Sequence, residues 1–154
     1  MLASFLLAFP ALFSIVNPIS GAFIFREATA DRTHAGRALL ARRVGAYSLL
    51  VMLVALWAGS YVLALFGISL SALRIAGGVA FFPLTLPFTT GPGTIAVAVA
   101  LGAGHPVSGG DWAAFYAGCS LAAMAMAAVI WLTYSYADRL SDLLGRTGSR
   151  TVSR

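Results

Sequence analysis

Two short runs of residues stand out for the chemistry they could support. Asn17-Pro18, followed by Ser20-Gly21, lies inside a long apolar block, and Thr89-Thr90-Gly91-Pro92-Gly93-Thr94 lies inside another. Proline supplies no N–H, so Pro18 leaves the carbonyl of Ser14 without its helical donor, and a polar or glycine residue followed by proline is the pattern of a helix start. Each run therefore reads as a point where one helix stops and a second begins. The exposed N–H groups of a new helix favour an anionic group, and freed carbonyls can hold a cation. An amino acid carries both charges. The same residues could equally form a proline kink whose free carbonyl is satisfied by a neighbouring helix.

The surroundings of the two runs correspond loosely: Phe9-Pro10 precedes the first and Phe82-Pro83 the second at nearly the same distance, a weak internal repeat. In an inverted repeat such breaks meet near the bilayer midplane. The expected substrate-binding residues are Asn17, Pro18, Ser20, Gly21, Thr90, Gly91, Pro92, Gly93 and Thr94, with Arg74 as a further candidate near a carboxylate. Gly21, Ala22, Gly91 and Gly93 would floor the pocket, and Ser14, Ser20, Thr90 and Thr94 would supply hydroxyls. That lining suits a small neutral solute. For Arg74 the simpler alternative is a side chain that snorkels to the outer headgroups.

The elements that must position these residues are membrane-spanning. Of 154 residues 60% are apolar and only 10% charged, far below the roughly 25% of a soluble domain. Three uncharged blocks, at about residues 2–25, 44–66 and 113–137, are long enough to cross about 30 Å of hydrocarbon as helices. The stretch from Ile75 to Gly110 would extend about 54 Å as one helix, too long for one crossing, and carries Pro83, Pro87 and Pro92 among several glycines. It is expected to be broken.

Charge placement fixes the topology. The formal net charge is +5, with ten basic side chains against five acids, and every basic one is arginine. Arg26, Arg32, Arg37, Arg42 and Arg43 crowd the first connector, and Arg139, Arg146, Arg150 and Arg154 the C-terminal tail. Clustering beside apolar blocks is the positive-inside signature, and no basic motif interleaved with aromatics points to nucleic acid. Both clusters facing the cytoplasm puts the N-terminus outside and requires the middle stretch to start and end outside. Two short tilted crossings or a re-entrant hairpin over residues 70–104 satisfy this; the hairpin is preferred because Leu70 to Phe82 is only a half-span.

The fold expected is thus all-α: a single polytopic transmembrane domain with three full helices, a Pro/Gly-broken hairpin and a cytoplasmic tail at 138–154, in a bacterial inner membrane. Ala114, Gly118 and Ala122 repeat every four residues and permit close helix packing, within one subunit or in a homo-oligomer. Trp57, Tyr61, Trp112, Tyr134 and Tyr136 fall near span ends and read as interfacial anchors. Cys119 reads as a small buried hydrophobe. No enzyme constellation, metal set or cofactor motif appears: His34 and His105 stand apart, and Glu27, Asp31, Asp111, Asp138 and Asp142 lie at span edges. With no acid inside a span, sodium, proton and uncoupled transport all stay open.

Several segments together resemble one family. Phe66-Gly67-Ile68-Ser69-Leu70 with Arg74-Ile75-Ala76-Gly77-Gly78, the run from Pro83-Leu84 to Pro87 ending in Gly91-Pro92-Gly93-Thr94-Ile95, Asn17-Pro18, and Gly145-Arg146-Thr147-Gly148 are similar to the MarC-related membrane proteins. That family (UPF0056) is a six-span bacterial inner-membrane group described as multiple-antibiotic-resistance-related and as transporters of small neutral amino acids, and the resemblance implies such transport here. The sequence departs from the pattern twice. Only Val79 to Phe82 separate Gly78 from Pro83, where the family completes a third span and a cytoplasmic loop, and the chain stops at Arg154, where the family continues into a sixth span. A non-transporting membrane subunit or a remnant of such a transporter is the alternative these departures support.

Overall fold

Lipid offers no hydrogen bonds to a bare backbone, so uncharged blocks of this length satisfy their own N–H and C=O groups as helix. A computed structural model describes residues 1–69, 71–73, 75, 91–104 and 111–140, and its described elements are helices: α1 (Leu2–Val16), α2 (Pro18–Ala28), α3 (His34–Leu65), α4 (Pro92–Ala103) and α5 (Trp112–Ser135). Together α1 and α2 form one interrupted span of 27 residues, and α3 and α5 are the other two helices long and apolar enough to cross a membrane. The expected three-span, all-helical architecture is present. Of the stretch expected to form a hairpin, residues 71–73 and 75 and α4 are described; Phe82, Pro83 and Pro87 lie outside the described residues.

The helix ends follow from local chemistry. Thr33 caps α3 by accepting the Gly36 N–H at 3.2 Å, so the helix begins at His34, ten residues before the uncharged block, and carries Arg37, Arg42 and Arg43 on its first turns. At about 48 Å, this helix exceeds the hydrocarbon thickness, leaving its arginine-bearing end at headgroup level. It stops at Gly67, whose φ of 65° only a residue without a Cβ adopts freely. There the Ile68 N–H returns to the Leu63 carbonyl at 2.9 Å and the Gly67 N–H to that of Ala64 at 3.2 Å, the paired bonds of a Schellman end.

Packing centres on α5, which lies against α1, α2 and α3, while α4 fits between α3 and α1. Leu12, Val16, Met52, Met126 and Ile130 are buried together at the heart of the bundle. Small residues set how closely the helices approach. A Cβ on Gly118 would overlap the Met1 carbonyl and sit against Ser4, and Ala122 is fully buried beside Ala8 and Cys119. The Ala114, Gly118, Ala122 seam is therefore occupied by α1 of the same chain, its Gly118 and Ala122 leaving no face for a second copy. Cys119 is buried in this contact, as its surroundings in the sequence suggest.

The outer surface is apolar. Leu2, Leu6, Leu50, Val54, Leu65 and Leu132 are among the large side chains left exposed, a coat suited to lipid. Tyr61, Trp112 and Tyr136 are exposed near helix ends, consistent with interfacial anchoring, whereas Trp57 lies two turns inside α3 with its indole donating to Ser120 Oγ at 3.1 Å, and Tyr134 is only 4% exposed. It is a core residue and not an anchor, because α5 turns it inward onto α2, where its ring stacks on Phe25 at 4.8 Å.

Candidate functional site

Asn17 is the hinge of the interrupted span. Its φ of 44° and ψ of 65° are left-handed, and it is the sole described non-glycine residue with positive φ. Asparagine tolerates this region better than most side chains because its short amide can bond locally. Here Asn17 ends α1, its N–H reaching the Phe13 carbonyl at 3.1 Å, and starts α2, its Oδ1 accepting the Ser20 N–H at 3.4 Å and its carbonyl the Gly21 N–H at 3.1 Å. Pro18 occupies the first helical position and is buried. The first expected helix break is thus a true interruption with its own cap. That cap also uses one of the N–H groups that an anion could have taken.

The second break differs. Gly91 precedes α4 with extended backbone and gives it no side-chain cap, with Pro92 at its first position, while the Ile95 N–H returns to the Gly91 carbonyl at 3.2 Å. The N–H groups of Gly93 and Thr94 lie in that uncapped first turn, and Thr94 is buried. At 12 residues α4 covers about 18 Å, little more than half a bilayer, so it is a half-helix.

The two breaks are neighbours. A Cβ on Gly93 would lie 3.2 Å from the Ile15 side chain, two residues before Asn17, so the start of α4 sits against the last turn of α1. From there α4 crosses α3 at two glycines. Val99 fills the space that a side chain at Gly59 would need, and Gly102 packs onto the Leu56 carbonyl. The Tyr116 hydroxyl on α5 donates to the Gly102 carbonyl at 2.9 Å and holds the far end.

Not all expected site residues line one opening. Gly21 does not floor a pocket: a Cβ there would overlap the phenol oxygen of Tyr134, so α5 covers this turn. Ala22 is buried likewise, Ser20 is half-buried and Ser14 exposed. The Ile15 side chain lies directly against Gly93. Thr90 and Arg74 lie outside the described residues. Sequence spacing missed Ser48, a buried polar group among apolar helices, and read Tyr134 as an anchor where the structure buries it in the core. A hydroxyl within an apolar block was the signal available for each.

A second polar cluster closes the arginine end of the bundle. Asp138, just beyond α5, accepts from Arg37 Nη1 at 2.7 and 2.9 Å and from Arg26 Nε at 3.2 Å. It ties the end of α2 and the start of α3 to the end of α5, so these three meet on one side, and the residues between α3 and α5 must leave and return on the other. That is the parity expected from the arginine clusters. Asp138→Ala should lower stability by about 1–2 kcal/mol, since the carboxylate is 41% exposed and part of its attraction is screened. A thermal midpoint in detergent that drops by a few degrees is the expected reading; an unchanged midpoint would show the pairing contributes nothing.

An interrupted span and two full-length apolar helices packed into one bundle define a polytopic helical membrane protein. The MarC family of integral membrane proteins matches residues 2–82 and 79–154, and the chain belongs to that family. It is 29% identical to the UPF0056 membrane protein YvbG of Bacillus subtilis across all of this chain and 87% of that protein. It is 28% identical to a UPF0056 membrane protein of Methanocaldococcus jannaschii over 97% of this chain and 86% of the relative. It is 27% identical to the inner membrane protein MarC of Salmonella typhimurium over 93% and 82%. The two matched segments overlap at residues 79–82. No solved structure matches the chain.

Proposed function

We propose that this protein carries small neutral amino acids, or solutes of their size, across the bacterial inner membrane, with its N-terminus outside and its arginine end cytoplasmic. The observation that carries the reading is the placement of the uncapped α4 start at Ile15, two residues from the Asn17 hinge. Two interrupted helices side by side offer opposite partial charges at one depth. The first-turn N–H groups of Gly93 and Thr94 would take the carboxylate, and the Ser14 carbonyl freed by Pro18, with the Asn17 side chain, the ammonium. The Ile15 side chain packed against Gly93 favours a solute with a short side chain. Thr90 and Arg74 complete the proposed set.

Binding of labelled alanine to purified protein tests this. Asn17→Ala and Gly93→Val should each reduce binding at least tenfold while insertion into the membrane persists; undiminished binding in both variants would remove the site from these residues. The second reading, a membrane subunit or remnant that does not transport, draws support from the family match falling in two segments that overlap at residues 79–82. On that reading the purified chain would bind no solute at all.

A further inference from the structure

The arginine end carries a groove that the proposed transport path does not use. It lies on the outer face of the bundle between α3 and α5, with a volume of about 270 Å³. Its origin is a close helix crossing: Gly45 lies so near α5 that a Cβ would stand 3.1 Å from Cβ of Trp131 and 3.3 Å from the Ala127 carbonyl. Above that crossing the small residues leave a channel, walled by Leu49 on α3 and Met124 on α5. Arg42 stands at its mouth, and Trp131 is 45% exposed on the opposite helix.

The charge at the mouth is uncommitted. Arg26 and Arg37 are engaged by Asp138 and Arg32 by Asp31, whereas Arg42 is exposed and makes no ion pair among the described residues. From Arg42 to Leu49 the groove runs about 10 Å along α3, within the roughly 15 Å depth of one leaflet. A cation at headgroup level, an amphipathic indole beside it and an apolar channel leading inward match the parts of a phospholipid in order.

We propose that this groove is a binding site for an anionic phospholipid of the leaflet on the arginine side, its phosphate held by Arg42 and one acyl chain laid along Leu49 and Met124. The arginine selects the headgroup by charge, and the crossing at Gly45 supplies the chain's bed.

Native mass spectrometry of the full chain in mild detergent, mixed with equal amounts of phosphatidylglycerol and phosphatidylcholine of the same chains, tests the site. The wild type should retain phosphatidylglycerol in preference. Arg42→Gln should lower that occupancy about fivefold, the effect of one charge near the headgroups. Ala128→Phe, which fills the channel from its exposed edge, should lower it as well, with Ala46→Phe as a substitute from the α3 side should the first fail to fold. Arg32→Gln, a control outside the groove, should leave it unchanged. Equal retention of both lipids, or retention indifferent to Arg42→Gln, would overturn the proposal. So would a dimer that Ala128→Phe dissociates, because a second copy would then occupy the groove.

Discussion

Gly102→Leu should disrupt the contact between α3 and α4 and destabilise the protein by about 3–5 kcal/mol. The effect is large because the obstacle is backbone. A Cβ on Gly102 would overlap the Leu56 carbonyl, and that atom cannot rotate away as a side chain would. The helices must separate, and the separation removes two further contacts: Val99 over Gly59, and the 2.9 Å hydrogen bond from Tyr116 to the Gly102 carbonyl. Gly104→Ala, two residues on, is the comparison. Its Cβ would meet only the Ala100 and Leu101 carbonyls of its own helix end at 3.4 and 3.5 Å, ordinary contact, so little change is expected. Unfolding midpoints of the two variants in detergent check the contrast. Equal midpoints would show that α4 is not seated on α3 at Gly102.

Asn17→Ala and Asn17→Gly should differ sharply, and in an order that a simple kink would not produce. Alanine in the left-handed region costs about 1–2 kcal/mol, and loss of the cap to Ser20 about 1 more. Glycine adopts the same backbone freely and gives up only a few tenths of a kcal/mol of capping. Alanine should therefore destabilise by about 2–3 kcal/mol and glycine by less than about 1. Denaturation of both variants under the same conditions provides the measurement. If they were equally stable, Asn17 would be an ordinary helical residue and α1 would run unbroken into α2.

Much of this organisation can be read in the residues. Uncharged length gives the spans, because lipid leaves helix as the sole economical backbone. Asn17-Pro18 and Gly91-Pro92 give the two helix starts, because proline interrupts a preceding helix and fits the first position of a new one, where its missing N–H leaves nothing unpaired. The arginine clusters give the parity of the middle stretch, which the joining of α2, α3 and α5 at Asp138 reproduces. What spacing could not give are contacts made across the chain. Asp138 meets Arg26 and Arg37 from 112 and 101 residues away, and nothing local distinguishes it from a solvated acid at a span edge. Tyr134 near a span end has the signature of an interfacial ring, yet the direction in which α5 faces turns it onto Gly21. The glycine that looked like the floor of a pocket is instead the seat of that ring. Gly59 and Gly102 are likewise legible as small, but which helix they admit depends on how α4 crosses α3.

These corrections narrow the proposed site to the open start of α4 and the hinge beside it. Because Asn17→Gly preserves the hinge backbone while removing the amide, it separates the chemistry of the side chain from the shape of the break. Uptake of labelled glycine, alanine and serine into proteoliposomes holding the purified chain is the most direct test of the transport reading. Wild-type protein should accumulate label, and Asn17→Gly, folded and equally inserted, should lose most of that uptake. No uptake by monodisperse, correctly oriented wild-type protein would contradict transport by this chain, and uptake undiminished by Asn17→Gly would contradict the hinge as the place where solute binds.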